Sequence, residues 1–196
     1  MTMESKAKLL KFLDKNDFVT LHDAMKMGVN KMALSRLVAD GALYRPAKRI
    51  YATKTDWLTD PLRKYVPACT LYPDAIICGI SALSYYDLTD EYERQIWLAF
   101  SQNHRVVNSE YRMIYPQGPS YSLGVVRHRV GKHEVRIYDI EKTVVDSFKY
   151  LPIDVGYKAL RGYLRRKDSD LDKLSQYAKK MRKPLDDIMT TLLSDE

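Results

Sequence analysis

The chain has 196 residues, 45% of them hydrophobic and 29% charged, a balance typical of a globular protein that buries a core of one large or two small domains. No apolar run approaches the roughly 20 residues that a membrane-spanning helix needs, and residues 1–8 contain no apolar stretch of the signal-peptide type. We therefore expect a cytoplasmic protein with no membrane partner, and its two cysteines, Cys69 and Cys78, should be reduced and buried.

Positive charge is concentrated at the start of the chain. Residues 1–52 hold ten Lys and Arg against five Asp and Glu, whereas residues 53–196 hold 22 against 20. Most of the formal net charge of +7 therefore belongs to the first quarter of the sequence. An excess of cations on so small a domain predicts a polyanionic partner.

Residues 1–52 predict three helices followed by a β-hairpin. Apolar periodicity predicts helices over residues 4–15, 21–27 and 31–40, with a short extended piece at Phe18–Val19. The second and third helices have N-cap residues, Thr20 and Asn30, and terminating glycines, Gly28 and Gly41. Two strands, Leu43–Arg45 and Arg49–Ala52, flank Pro46-Ala47-Lys48.

This order of elements is that of a winged helix-turn-helix, in which the third helix enters the DNA major groove and the hairpin touches the flanking backbone. Burial of Leu34, Leu37 and Val38 leaves the opposite face of the third helix open. The predicted DNA-binding residues are Lys31, Met32, Ser35 and Arg36 on the helix and Arg45, Lys48 and Arg49 on the hairpin. Because winged helices also dock proteins, a protein-binding module is the alternative.

Residues 53–67 predict a connector, and residues 68–196 predict a mixed α+β domain with a helical C-terminus. A buried helix, interrupted at Gly79, is predicted around Ile76–Leu83. Strands are predicted at 95–100, 111–114, 125–130 and 134–138, and helices at 140–148, 155–166, 171–182 and 185–193. The last four helices should begin at Asp139, Asp154, Asp170 and Pro184. The predicted fold class is α+β.

A second basic zone lies near the end of the chain. Residues 158–183 contain ten Lys and Arg against three Asp. Two interpretations are open: a solvated helical face, or a second surface that contacts DNA or an acidic partner. The residues of this zone with a candidate role are Arg161, Arg165, Arg166, Lys167, Lys179, Lys180, Arg182 and Lys183.

Motifs for catalysis are weak, so we predict that the chain is not an enzyme and carries no metal or cofactor. The four histidines form no HExxH pair, and no P-loop string occurs. The run Asp168–Asp172 starts like a calcium loop but lacks its glycine and its final glutamate, and fits an acidic helix start better. The carboxylates available to a metal nuclease are Asp74, Glu134, Asp139 and Glu141. We interpret Asp139 as a helix cap, Glu141 as helix surface and Asp146 as a helical residue without a catalytic role.

Several segments, in order along the chain, resemble a known family. They are Thr20–Ala52 (with Ala24, Gly28-Val29, Leu34-Ser35-Arg36-Leu37-Val38, Gly41-Ala42-Leu43 and Ile50-Tyr51-Ala52), Ile80-Ser81-Ala82-Leu83, Asp87-Leu88-Thr89, Ile96-Trp97-Leu98 and Tyr138–Asp146. Together they resemble the AbiEi abortive-infection antitoxins of type IV toxin–antitoxin systems. One departure is at the hairpin tip, where relatives often have an Arg-Gly turn and this chain has Pro46-Ala47-Lys48-Arg49.

The resemblance implies two activities in phage defence. The N-terminal domain would bind double-stranded operator DNA, at repeated half-sites, and repress its own operon. The C-terminal domain would counter a toxin of nucleotidyltransferase type, and the family does not require a stable complex with that toxin. The alternatives are a carboxylate-dependent enzyme that processes nucleic acid and a winged-helix transcription factor that responds to a small ligand.

Overall fold

The computed structural model describes residues 2–53, 61–102, 108–183 and 185–194. The chain divides into two compact units, Met1–Ala68 (the N-terminal unit) and Cys69–Glu196 (the C-terminal unit). Residues 54–60 of the predicted connector lie outside the described residues. The described part that follows forms a 3-10 turn at Arg63–Tyr65 and the start of a helix, with Leu62 and Tyr65 buried.

Three helices and a small sheet make up the N-terminal unit. In chain order its elements are α1 (Met3–Lys15), β1 (Val19–Thr20), α2 (Leu21–Lys26), α3 (Lys31–Ala39), β2 (Tyr44–Ala47) and β3 (Ile50–Ala52). The three strands pair antiparallel in the order β1-β3-β2. The core that holds them together comes from the three helices, from β1 and β3 and from the segments between them, and includes Leu9, Leu13, Val19, Ala24, Leu34, Leu37, Leu43 and Tyr51.

Local capping explains where α2 and α3 begin. The Thr20 hydroxyl accepts a hydrogen bond from the Asp23 amide at 3.1 Å, and the Asn30 side chain accepts one from the Ala33 amide at 2.9 Å. Both caps confirm the sequence prediction, since a cap oxygen satisfies one amide that the first helical turn leaves open. Gly28, with a φ of +80°, adopts the left-handed conformation expected after α2.

The C-terminal unit packs helices against a mixed five-stranded sheet. Its elements are α4 (Val66–Leu71, which begins in the N-terminal unit), β4 (Ile76–Ile77), α5 (Gly79–Tyr85), β5 (Ile96–Ala99), β6 (Tyr111–Ile114), β7 (Val125–Val130), β8 (His133–Tyr138), α6 (Ile140–Tyr150), α7 (Ile153–Leu164), α8 (Leu171–Lys180) and α9 (Asp186–Ser194). The strand order is β6-β5-β4-β8-β7. The β4–β8 and β5–β6 pairs are parallel, and the other two pairs are antiparallel. The α+β class and the helical C-terminus are thus confirmed.

Two predictions in this unit were wrong, one of an element type and one of a helix boundary. Ile76 and Ile77 form the central strand β4 and are not helical, because they pair with β5 on one side and β8 on the other. A short, fully buried apolar run looks the same in a helix and in a strand, so periodicity could not separate the two. Helix α7 begins after Pro152, two residues before the predicted Asp154, because the Pro152 carbonyl accepts the first helical hydrogen bond, from the Gly156 amide at 3.3 Å.

Helix α6 lies at the centre of the helical layer and packs against α5, α7 and α8. Its first turn is capped by Asp139, whose Oδ1 accepts a hydrogen bond from the Lys142 amide at 2.9 Å, as predicted. The apolar cluster around it includes Leu83, Val144, Val145, Leu160 and Leu174. Among the helices that the structure describes, none is long and apolar enough to cross a membrane.

Candidate nucleic-acid interface

Helix α3 separates the residues that build the core from those that face solvent. Ala33, Leu34 and Leu37 are buried, and the four residues predicted to contact DNA, Lys31, Met32, Ser35 and Arg36, are all exposed. Their spacing of three and four residues places them on one face of the helix. Met32 is 67% exposed, a high value for a large apolar side chain. This face is therefore free to meet another molecule.

The β2–β3 hairpin presents the other three predicted residues, Arg45, Lys48 and Arg49, which are exposed as well. Its register shifts between Tyr44 and Ala47, and the turn that follows puts Arg49 at a φ of +67°. A side chain in this left-handed region costs about 1 kcal/mol relative to glycine. The arginine therefore occupies the conformation that a glycine would suit best.

The backbone of the hairpin tip is anchored. The Leu21 amide, at the start of α2, donates a hydrogen bond to the Arg49 carbonyl at 2.7 Å. Next to it, Ile50 pairs with Thr20 of β1 and is completely buried. The tip is thus fixed to the first residue of α2, while its cationic side chains remain in solvent.

The charges of α3 and the hairpin are strongly unbalanced. Residues 31–52 contain five Lys and Arg and a single carboxylate, Asp40. No carboxylate of the described residues forms an ion pair with Lys31, Arg36, Arg45 or Arg49. Other acids of this unit are engaged elsewhere: Asp17 pairs with Arg63 at 3.8 Å, and Asp23 accepts a hydrogen bond from Thr20 at 2.7 Å. The result is a compact positive surface, which we call the α3–hairpin surface.

The second basic zone is less uniform than its sequence suggests. Arg166 forms a two-pronged ion pair with Asp168, with both N–O distances at 3.0 Å. This hydrogen bonding raises the pKa of Arg166 and lowers the pKa of Asp168. Lys179 lies 3.8 Å from Asp186, and Lys183 is half-buried. The exposed remainder of the predicted set consists of Arg161, Arg165, Lys167, Lys180 and Arg182.

Lys173, a half-buried cation of the same stretch, is paired with two largely buried carboxylates. Its ammonium lies 2.8 Å from a Glu141 oxygen and 3.0 Å from an Asp139 oxygen. Tyr163 donates a hydrogen bond to Glu141 at 3.0 Å, and Tyr177 donates one to Asp139 at 3.1 Å. Burial opposes the charge of Lys173, but the hydrogen bonds that its ammonium donates to the two carboxylates outweigh this effect and raise the pKa of Lys173.

The contacts of Lys173 show that one interpretation of Glu141 was wrong, and they also concern the carboxylates considered for a metal nuclease. Glu141 is only 4% exposed and is not a helix-surface residue, because α8 brings Lys173 against it. Of the four carboxylates considered for a metal nuclease, Asp139 and Glu141 are thus engaged with cations and hydroxyls, and Glu134 pairs with Arg127 at 3.2 Å. Within residues 2–53, 61–102, 108–183 and 185–194, no group of three or more His, Cys, Asp and Glu residues is arranged to hold a metal ion.

Sequence reasoning also missed a buried ion pair in α6. The Lys142 ammonium lies 2.6 Å from Asp146 Oδ2, and both side chains are essentially inaccessible to solvent. Burial lowers the pKa of Lys142 and raises the pKa of Asp146, since each loses its hydration. The spacing of four residues was a visible signal, but an i, i+4 pair is usually a surface feature. Nearby, Cys78 is fully buried, and Cys69 nearly so, as predicted.

Comparison with known proteins bears on the fold. No family model matches the chain, and neither does any curated protein. A solved structure that resembles it is the crystal structure of the RV2827C protein from Mycobacterium tuberculosis. The likeness covers 91% of this chain and 72% of that one, with a TM-score of 0.57 and 14% sequence identity. At this level of identity the two proteins share a fold, and the likeness extends over most of the present chain.

Proposed function

We propose that the protein is a DNA-binding repressor of its own operon, with the N-terminal unit acting as a winged helix-turn-helix. The observation that carries this proposal is the α3–hairpin surface, where five cations face one carboxylate on an exposed helix and an anchored hairpin. Duplex DNA presents a groove that admits a helix and a phosphate backbone that attracts cations. On the α3–hairpin surface, the exposed face of α3 suits the groove and the exposed cations suit the phosphates.

The two elements have different tasks in this proposal. Arg36, on the exposed face of α3, reads a base edge, because a guanidinium donates two parallel hydrogen bonds to guanine in the major groove. Arg45, Lys48 and Arg49 contact phosphates from the hairpin. One short helix reads only a few base pairs, so the operator should contain two or more repeated half-sites.

Binding titrations over a salt series test this division. Replacing Arg36 with Ala should cost about 1–3 kcal/mol and relax the preference at one base position. Replacing Arg45 or Lys48 with Gln should weaken binding to all sequences alike and reduce the slope of log K against log salt by about one per lost contact. Arg127→Gln, which removes a cation of the C-terminal unit that pairs with Glu134, is the matched control and should change neither quantity.

Footprinting of the upstream region provides the second test. Two or more protected repeats are expected. A single short protected site, or none, would contradict the repressor proposal. If the Arg36, Arg45 and Lys48 variants all kept the wild-type affinity and salt slope, the N-terminal unit would be better described as a protein-docking module.

The second basic zone is proposed as an additional DNA contact. Its exposed members, such as Arg161, Lys167 and Lys180, have no ion pair among the described residues. A triple change of these residues to Gln should lower affinity and salt slope as the hairpin changes do. An unchanged slope would make the zone a solvated face, with Lys180 serving the C-terminal end of the α8 dipole.

The antitoxin role of the C-terminal unit is proposed from the family resemblance. Its partner would be a nucleotidyltransferase-type toxin encoded beside it, acting in the cytoplasm. Co-expression tests this: the chain should restore growth to cells that produce the toxin, and residues 69–196 should matter more than the α3–hairpin surface. Loss of rescue in the Arg36→Ala variant, with the C-terminal unit intact, would contradict this assignment.

A further inference from the structure

A cavity of about 380 Å³ opens in the C-terminal unit, between the first turn of α5, the segment that precedes β5, and the β5–β6 edge of the sheet. The residues that line it include Trp97, Arg94, Arg112 and Ile80. The volume lies within the range of sites that hold small molecules in proteins, roughly 300–1,000 Å³. The proposed DNA-binding function makes no use of this cavity.

The aromatic wall is held in place by the sheet. Trp97 and Arg112 are register partners on the parallel strands β5 and β6, so their side chains lie side by side on one face. The Arg112 guanidinium lies 5.6 Å from the indole centroid. On α5 the indole packs directly against Gly79, where a Cβ atom would lie only 2.5 Å from it. The backbone amide of Trp97 donates a hydrogen bond to the Ser81 hydroxyl at 2.8 Å, which fixes the strand here.

The cavity is positive at its rim. Arg94 and Arg112 are both exposed, and no carboxylate of the described residues forms an ion pair with either. Glu91 is the one carboxylate of the lining, so the wall carries a net charge of +1. Beside these charges stands a second aromatic ring, Tyr92, which is 84% exposed. The Tyr92 ring therefore offers an aromatic face beside the cavity on which a planar ligand can stack.

We propose that this cavity binds a nucleotide, with the base against Trp97 and Tyr92 and the phosphate on Arg94 and Arg112. An inorganic anion would leave the indole unused, and an uncharged aromatic molecule would leave two guanidinium groups unused. A nucleotide satisfies both, because bases stack on aromatic and guanidinium planes and a phosphate accepts a fork of hydrogen bonds from arginine. The nucleotide is either free or part of a single strand.

Tryptophan fluorescence measures the binding directly. Trp57 is the only other tryptophan in the sequence, so the Trp57→Phe protein reports on Trp97 alone. ATP, GTP, CTP and UTP are the probes, with adenosine and tripolyphosphate as the two parts of ATP. We expect saturable quenching by nucleotides, and affinities for adenosine and for tripolyphosphate that are each weaker by about tenfold or more, since each part lacks one set of contacts.

Variants identify the site and keep the test independent of folding. The Arg94→Gln/Arg112→Gln protein should bind ATP about tenfold more weakly or worse, with its unfolding temperature unchanged because both residues are exposed. Arg127→Gln/Arg129→Gln, which removes two exposed arginines of β7, is the matched control and should bind as the parent does.

The outcomes separate the two sources of the ligand. A hexanucleotide that binds about tenfold more tightly than ATP would identify a single strand, and equal or weaker binding would identify the free nucleotide. No quenching by any nucleotide would overturn the proposal. Equal affinity for adenosine and ATP, or wild-type affinity in the Arg94/Arg112 variant, would overturn it as well.

Discussion

Removing one member of the buried pair Lys142–Asp146 should destabilise the C-terminal unit far more than removing both. The two charges lie 2.6 Å apart, with side-chain exposures of 0% and 1%. Lys142 also lies 4.4 Å from the Tyr138 ring centroid, whereas Asp146 Oδ1 has no hydrogen-bond partner among the described residues. Lys142→Met leaves a buried carboxylate without its cation, and Asp146→Val leaves a buried ammonium without its carboxylate.

The magnitudes follow from the distance and the burial. At 2.6 Å the attraction between unit charges is about 6 kcal/mol for an effective dielectric constant near 20. Dehydrating the two ions costs several kcal/mol for each, so the pair adds little net stability. Each single variant should therefore lose about 3–5 kcal/mol, whereas Lys142→Met/Asp146→Val should stay within about 1–2 kcal/mol of the parent. The coupling energy in the double-mutant cycle should be on the order of 6 kcal/mol.

Urea unfolding of the Trp57→Phe protein, followed by Trp97 fluorescence, measures these losses in the C-terminal unit. A loss of about 4 kcal/mol lowers the midpoint by about 2 M for a typical urea slope. The exposed pair Lys158–Asp90 of the same unit, at a distance of 3.2 Å, is the matched control, and Asp90→Asn should leave the midpoint nearly unchanged. Additive losses in the double variant would refute the reasoning, as would a single variant as stable as the parent.

Three further predictions follow from other parts of the C-terminal unit. Gly79→Ala should lose about 1 kcal/mol for its left-handed backbone and about 1–3 kcal/mol more for the clash with Trp97, whereas Gly118→Ala, with a φ of +54° and no atom within 4 Å of its Cβ, should lose only the first part. Equal losses in thermal unfolding would contradict the clash. Burial raises the pKa of Cys69 to about 11 and raises that of Cys78, so neither thiol should react with a disulfide reagent near pH 8 before the protein unfolds. Rapid release of the reagent's chromophore by the native protein would show that a thiol is accessible. Because the hydrogen bonds of Lys173 to Glu141 and Asp139 outweigh its burial, its folded pKa lies above the ordinary 10.5, and its contribution to stability is complete below pH 10.5 and is lost as the pH rises through the folded value. Stability curves against pH should therefore fall less steeply in the alkaline range for Lys173→Met than for the parent, and parallel curves would contradict this.

Features set by near neighbours in the sequence were predictable. Thr20, Asn30, Asp139 and Asp170 were each predicted to start a helix, and each side chain accepts a hydrogen bond from the amide three residues later. The open face of α3 was predictable for the same reason, since helical period alone decides which side of a short helix meets the core.

Features set by distant parts of the chain were not predictable. Ile76 and Ile77 form a strand because β5 and β8 lie on either side, and nothing local to them specifies that. Glu141 and Lys173 are 32 residues apart in the sequence. Because composition alone does not show such a contact, Lys173 was counted among the cations of the second basic zone. The cavity beside Trp97 likewise depends on the pairing of β5 with β6, and no sequence motif predicts that pairing.

The excess of cations over carboxylates in each unit indicates which unit attracts a polyanion more strongly. The N-terminal unit contains 13 Lys and Arg against seven Asp and Glu, and the C-terminal unit contains 19 against 18. In the C-terminal unit, Lys142, Lys158, Arg166 and Lys173 all lie within 4 Å of carboxylates. Because charges are screened beyond about 8 Å at physiological salt, the local excess matters more than the net charge of the chain. We therefore expect the α3–hairpin surface to carry most of the salt dependence of DNA binding.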